Sequence, residues 1–329
     1  MKMSARVCGA AFAAAVMLLS TNAFADPTYT LKLAHAVPVE NPYHYGAMRF
    51  KELVEAETKG DMVIQVFPNN ELSTGERDIL EGLQLGTIDM YVGSTGPMGG
   101  FEKSFLLFDF PFLFKDLKDA FEVLDGPIGD HVFKKLDSQG IHGLAWMVNG
   151  FRNLTNSKRP VVKISDVAGL KVRTMENKLH MAMWRELGAD PTPMAWSEVF
   201  TALQQGTIDG QENPLTVIYT SKLNEVQKYL ALTRHVFSPA FIAIASSKFE
   251  DLPEKYQAVI VKAAKAAALH EREVYEKMDA EFLEKLRAAG MEVSTPDLDE
   301  YRKAVQPVNE KYRSELGDDA GLLDQILSR

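Results

Sequence analysis

Gly169-Leu170-Lys171-Val172-Arg173-Thr174 opens a unit that closes at Gln204-Gln205-Gly206-Thr207-Ile208-Asp209-Gly210-Gln211-Glu212-Asn213-Pro214. Residues 171–173 read as a short strand ending in an arginine. Residues 177–187 follow as a helix stopped by Gly188. A second short strand, 191–194, leads into a second helix, 196–205. Strand–helix–strand–helix units build open α/β sheets, which bind ligands in the crevice beyond the carboxyl ends of their strands. Arg173 stands at such an end. Its guanidinium is planar, forked and permanently charged, which suits a carboxylate. Asn213, on the loop leaving the unit, can offer an amide to the same group.

The closing phrase has an earlier copy. Leu83-Gln84-Leu85-Gly86-Thr87-Ile88-Asp89 recurs, with one mismatch, as Leu203-Gln204-Gln205-Gly206-Thr207-Ile208-Asp209. In both, the glycine stops a helix and the Ile-Asp pair starts a strand. The first copy ends a similar succession: a strand at Tyr29–Ala34, a helix of about 15 residues after Asn41-Pro42, a strand at Met62–Phe67, a helix at Glu76–Leu85 and a strand at 88–92. This predicts a parallel sheet with helices on both faces. Two such lobes facing each other make a cleft. The glycine-rich run 93–100 has no lysine–hydroxyl pair at P-loop spacing, so it reads as a turn with Ser94 and Thr95 facing that cleft. The aromatic run 105–114 reads as core and hinge packing.

The N-terminus carries Lys2 and Arg6, then an apolar run over residues 7–19, then Ala23-Phe24-Ala25 before Asp26. That is the pattern of a secretory signal peptide cleaved after Ala25, and it predicts an exported, periplasmic protein. Cleavage removes the sole cysteine, Cys8, so disulfide and thiol chemistry are excluded from residues 26–329. It leaves 34 basic against 45 acidic side chains, a net charge of −11. An acidic chain without a basic tract argues against nucleic acid or an anionic membrane as partner. If the ligand is an anion, local arginines must overcome the global charge.

The phrases Gly169-Leu-Lys-Val-Arg173, Pro191-Thr-Pro-Met-Ala-Trp-Ser-Glu198 and Asp209-Gly-Gln-Glu-Asn-Pro214 resemble the DctP-type substrate-binding proteins of tripartite ATP-independent periplasmic (TRAP) transporters. So do Pro111-Phe-Leu-Phe-Lys-Asp116 and Leu124-Asp-Gly-Pro-Ile-Gly129. The resemblance covers nearly all of the chain after Asp26. It implies a two-lobed α/β periplasmic binding protein with a ligand cleft between the lobes and one long helix spanning both. It also implies a small organic acid as ligand, TRAP integral membrane permease subunits as partners, and no metal or cofactor. On matching positions it implies ligand contacts from Arg173, Arg152, Asn213 and the aromatic Trp196, with His35, Glu76, Arg77, Ser94 and Thr95 lining the first lobe. Arg152 could instead pair with an acidic surface residue, and Trp196 could be core. In sialic-acid-binding members the places of His35 and Ser94 hold asparagine and glutamate, which argues against that ligand.

The remaining chain fits this plan. Residues 141–148 read as an apolar strand, and 149–156 as a turn-rich segment crossing between lobes. Strands at 230–233 and 240–245 return the chain to the first lobe. A helical pattern from Pro253 to Gly290 keeps one apolar stripe and is longer than one lobe; a coiled-coil dimer is the alternative to a helix that braces both lobes, and a monomer is expected. The charged segment 301–328 is expected to pack on the second lobe. The expected organisation is therefore residues 26–150 with about 239–278 in the first lobe, and 151–238 with about 279–329 in the second. A Gly-x-Ser-x-Gly elbow, a His-Glu-x-x-His pair and paired histidine spacing are all missing, so no enzyme is expected. A sensory binding protein and, less favoured, a secreted hydrolase are the alternatives to transport. Whether the far end of the ligand is a second carboxylate, as in a C4-dicarboxylate, or the polyol tail of a sugar acid such as a uronate stays open, because cationic and hydroxyl or acidic groups are both on offer.

Overall fold

The computed structural model describes residues 27–329; the expected signal peptide and its cleavage site lie outside them. The chain runs β1 (Tyr29–Ala34), α1 (Pro42–Glu57), β2 (Met62–Phe67), α2 (Glu76–Leu85), β3 (Met90–Ser94), α3 (Leu117–Leu124), α4 (Pro127–Leu136) and β4 (Ile141–Phe151). It continues through β5 (Asn153–Asn156), β6 (Lys171–Thr174), α5 (Lys178–Glu186), β7 (Asp190–Pro193), α6 (Trp196–Gln204), β8 (Gly210–Asn213), α7 (Leu215–Thr220) and β9 (Tyr229–Ala231). The last part holds β10 (Phe237–Ala245), α8 (Ser246–Glu250), α9 (Glu254–Ala288), β11 (Glu292–Ser294), α10 (Leu298–Ala304), α11 (Gln306–Glu315) and α12 (Ala320–Leu327).

These strands form two sheets, ordered β2-β1-β3-β10-β4 and β11-β9-β5-β8-β6-β7. The segments β2-β1-β3 and β7-β6-β8 are laid out identically: the outer strands each run parallel to the central one. The next strand along, β10 or β5, is antiparallel in both sheets. The sheets are therefore mixed, not parallel as expected. The reason is topological. The chain returns from the second lobe as β10 and inserts between β3 and β4, antiparallel to both.

The repeated phrase performs the same task twice. Gly86 and Gly206 both take φ of 70°, the left-handed conformation that ends a helix at little cost in glycine. Asp89 and Asp209 then fasten their strands. The Asp89 carboxylate accepts the backbone N–H of Lys32 at 2.8 Å, and Asp209 that of Lys171 at 2.9 Å. Each thereby ties the start of β3 or β8 to β1 or β6, so the carboxyl ends of all four strands point the same way in their lobe.

Residues 149–156 are strand, not turn. β4 continues to Phe151 and β5 begins at Asn153, leaving Arg152 between the sheets. Gly150 permits this passage: at φ 125° it lies against α9, where a Cβ would sit 2.2 Å from the Tyr275 hydroxyl oxygen. The helix α9 has 35 residues, about 52 Å at 1.5 Å per residue. Ile260, Ala263, Ala264, Ala267 and Ala268 bury in the first lobe's core with Phe50 and Val54 of α1, the alanines allowing close approach. Phe282 and Leu286 bury in the second lobe's core with Val199, Leu203 and Ile218. The apolar stripe is thus consumed within one chain, across both lobes.

Aromatic residues fill the other face of the first sheet. Phe105, Phe108, Trp146 and Phe241 pack together, and Phe133 stacks on Trp146 at 3.9 Å. The C-terminal segment divides its contacts, contrary to the expectation that residues 279–329 belong with the second lobe. Tyr301 and Val305 bury in the second lobe. Leu323 and Ile326 bury with the aromatic core of the first. His131 contacts Asp319 at 2.8 Å, and Arg329 pairs with Glu122.

Candidate functional site

The carboxyl ends of β1, β3, β6 and β8 converge on one cavity between the lobes. It holds about 30 Å³ of free space and is lined by Ala36, Val37, Tyr43, Glu76, Ser94, Asn149, Arg173, Met175, Trp196, Asn213 and Val217. That is far below the about 300–1,000 Å³ of small-molecule sites, so the cleft is closed down on its lining. The amino-terminal residues of α2 and α6, Glu76 and Trp196, lie on it, so two helix N-termini add positive partial charge.

Arg173 faces the cavity from β6 and is 4 % exposed. Its Nε and Nη2 donate to the Met194 carbonyl at 3.0 and 2.6 Å, and its Cζ lies 5.5 Å from the centroid of the Trp196 ring. The Nε–Nη2 edge is therefore taken, and the Nη1–Nη2 end of the fork is the edge left for a ligand. Burial, and then the charge of Arg152, lower its pKa to about 10, which leaves it charged at neutral pH.

Arg152 is fully buried behind the cavity and does not line it. Its Nε donates to Glu212 Oε2 at 2.5 Å, and its Nη2 to Glu212 Oε1 at 2.9 Å, the Glu212 carbonyl at 2.5 Å and Asn213 Oδ1 at 3.1 Å. Its partner is thus an interior acid, not a surface one. Burial alone would push Glu212 up, but Arg152 and His235, 2.9 Å away, hold its carboxyl well below the usual range. Arg152 acts on the cavity through Asn213. A guanidinium only donates, so the amide must present Oδ1 to it; Nδ2 then donates to Gln211 Oε1 at 2.5 Å and keeps a second N–H. Asn213 is the last residue of β8, not part of a loop, because Asp209 starts the strand in register.

The first lobe supplies Glu76. Its carboxylate accepts from the backbone N–H of Ser94 at 2.7 Å and the Ser94 hydroxyl at 2.6 Å. Burial raises its pKa, against the opposing effect of Ser94. Gly93 makes room for this: a Cβ there would stand 2.5 Å from Glu76 Oε1. Besides Arg152, three residues expected from the first lobe are not on the lining. Thr95 points away and bonds the Pro239 carbonyl at 3.3 Å. Arg77 turns outward to pair with Glu81 at 3.0 Å, over the ring of Phe101. His35 is buried, its Nε2 3.1 Å from His44 Nδ1; burial and then His44 lower its pKa to about 3, so it stays neutral.

Two polar residues on the lining escaped the sequence. Tyr43, in the first turn of α1, is 2 % exposed, and its hydroxyl has no partner among the described residues. Asn149 is on the lining, and its Nδ2 donates to the Ser238 hydroxyl at 3.2 Å. The only signal for Asn149 was its place at the end of a long apolar strand, obscured by the Asn-Gly pair that suggests a turn. Tyr43 gave none.

Two mixed sheets with equivalent strand ends around a polar, arginine-bearing cavity, joined by two strand crossings and one long helix, define a two-lobed solute-binding protein. The family described as bacterial extracellular solute-binding protein, family 7 (DctP), matches residues 33–315, and the chain belongs to it. It is a TRAP-type solute-binding protein. A solute-binding protein of Verminephrobacter eiseniae is 44% identical over 280 residues, 85% of this chain and 83% of that one. The Escherichia coli 2,3-diketo-L-gulonate-binding periplasmic protein YiaO is 35% identical over 295 residues, 90% of this chain and 88% of that one. In structure, a TRAP periplasmic solute-binding protein from Polaromonas sp. JS666, bound to D-erythronate, superposes with a TM-score of 0.88 at 44% identity, covering 91% of this chain and 98% of that chain. The family consists of substrate-binding proteins, and its periplasmic members agree with the exported character expected from the N-terminus.

Proposed function

We propose that this protein captures a short hydroxylated monocarboxylate, of the aldonate class, in the cleft and delivers it to the membrane permease subunits of a TRAP transporter. The observation that carries this reading is the polarity of the cavity. Among its lining residues Arg173 is the one cation, and the groups on the other side are Glu76, Ser94, Tyr43 and Asn149. Burying a carboxylate costs several kcal/mol unless it is paired, so Arg173 takes the acid end, helped by the free N–H of Asn213. Among the lining residues a second carboxylate would find no cation at the far end, since Arg77 is turned outward and Arg152, with Nε and Nη2 committed to Glu212, stands behind the lining. Hydroxyl groups find acceptors and donors there. D-erythronate in the Polaromonas relative and 2,3-diketo-L-gulonate for YiaO are acids of this kind.

The test is thermal unfolding of protein refolded to strip bound solute, against D-erythronate, D-gluconate, D-glucuronate, succinate and erythritol. A ligand specific to the native state at 100 times its Kd adds about 2.7 kcal/mol, several degrees in Tm. A hydroxy acid is expected to raise the midpoint, and succinate and the uncharged polyol are not. Arg173→Ala should lose that shift. A succinate shift larger than any hydroxy acid's overturns the substrate class, and Arg173→Ala binding within tenfold of the unsubstituted protein overturns the clamp.

A further inference from the structure

We infer that Asp109 and Asn177 form a latch that holds the two lobes together independently of the solute, with His180 beside it. Asp109 closes a 3-10 turn, Lys103–Asp109, that packs on the first sheet; Asn177 and His180 stand at the start of α5 on the second. All three are buried, with Asp109 0 % exposed. Asn177 works in two directions. Its Oδ1 accepts the backbone N–H groups of Leu179 and His180 at 3.0 and 3.1 Å, capping α5 within its own lobe. Because those partners only donate, the amide cannot be reversed, and Nδ2 must face the other lobe. There it donates to Asp109 Oδ2 at 2.6 Å and to the Gly96 carbonyl at 2.9 Å.

The carboxylate of Asp109 draws its polar contacts from across the cleft. Besides Asn177 it has His180, whose Nε2 lies 3.3 Å from Oδ1 without the alignment of a hydrogen bond. No side-chain donor of its own lobe reaches it among the described residues. A buried carboxylate without partners is costly, so separation of the lobes forces Asp109 either to hydrate or to stay unsatisfied, and their approach relieves it. None of these residues lines the solute cavity. The latch therefore biases the open–closed equilibrium rather than choosing the solute, and it stands whether or not the proposed acid is the right one.

The test needs a closure reporter that works without solute. Gly75 and Ala195, at the caps of α2 and α6, face each other across the cleft: a Cβ at Gly75 would be 3.7 Å from Ala195 Cβ, within the disulfide range of about 3.5–4.5 Å. Residues 26–329 hold no cysteine, so Gly75→Cys with Ala195→Cys reports closure as the rate of oxidative cross-linking. In solute-free protein, Asn177→Asp keeps the helix cap but removes the donor and sets two carboxylates together; it should slow cross-linking at least tenfold. Asn177→Ser, which also keeps a capping oxygen, should slow it similarly and guards against a folding defect in the first variant. Adding Asp109→Asn to Asn177→Asp restores one donor between the two sites and should recover the rate to within threefold. Undiminished cross-linking in both Asn177 variants overturns the latch. So does a double variant that folds but stays slow, and so does a reporter that never cross-links in the unsubstituted background.

Discussion

Glu76 shows how one residue can make an anion site selective. Its carboxyl is buried, held by Ser94 and raised in pKa, and it faces a cavity whose other end is Arg173. A protonated Glu76 donates to a solute hydroxyl; an ionised one repels the solute's charge. Affinity for the acid should therefore fall as pH rises through the raised pKa of Glu76, and Glu76→Gln, which stays neutral, should flatten that dependence while keeping a donor. Titration calorimetry from pH 5 to 9 on both proteins decides it; a parallel fall in the variant would assign the pH dependence elsewhere. The same scale shows what the sequence tells. Arg173 was legible because a strand end follows from local pattern, whereas Trp196 was pointed to only by the family resemblance. Arg152 was not legible, since its role depends on Glu212, 60 positions away, and nothing local distinguishes an arginine that meets solute from one that orients an asparagine. Thr95 and Arg77 sit next to lining residues, and period alone does not say which neighbour turns inward.

Among the elements, α9 carries a buried acid that its packing does not require. Glu271 is fully buried where α9 crosses β4; its Oε2 accepts the Val148 N–H at 3.0 Å and its Oε1 has no partner among the described residues. Burial raises its pKa from 4.5 to about 8. Between those values the native protein keeps a proton that the unfolded chain has lost, so stability falls as pH rises from about 4.5 to about 8. The loss is up to about 5 kcal/mol, at 1.36 kcal/mol per pKa unit. Glu271→Gln should remove most of this slope and raise Tm at pH 8, read by calorimetry across that window. A variant with the same slope as the unsubstituted protein would free Glu271 of responsibility. Neither α9's span nor its stripe was hard to read, since 35 residues with one apolar face leave few options. The direction of β10 was: antiparallel insertion between β3 and β4 is a long-range fact, absent from any window of sequence. So was the strand at 149–156, where Asn-Gly signals a turn unless Tyr275 is known to lie against Gly150.

For the whole molecule, the C-terminal helices join what the cleft divides. Deleting Ala320–Arg329 removes Leu323 and Ile326 from the first lobe's core, at roughly 1.5–3 kcal/mol each. Spread over a chain of this size, that should lower Tm by more than about 5 °C, while solute affinity stays within threefold because the cavity is untouched. Scanning calorimetry and a binding isotherm on the truncated protein test both halves, and an unshifted Tm would mean the helix is dispensable packing. The two lobes themselves were foreseeable from a seven-residue repeat. Their shared end, α12 on the first lobe, was not, since Leu323 and Ile326 carry no mark of the partner they choose.

That repeat has a further consequence. With Gly86 matched to Gly206, Glu76 falls on Trp196, Gly75 on Ala195 and Gly93 on Asn213; with Lys32 matched to Lys171, Ala34 falls on Arg173. The close approach of Gly75 to Ala195 sets these corresponding helix starts face to face across the cleft. A pair of lobes alike in every such position would hold a solute equally well in either direction. At the strand and helix ends nearest the cavity that equivalence is broken: arginine stands against alanine, asparagine against glycine, tryptophan against glutamate. A solute held between them would meet different chemistry at its head and its tail, although the strand orders β2-β1-β3 and β7-β6-β8 that present these residues are duplicated.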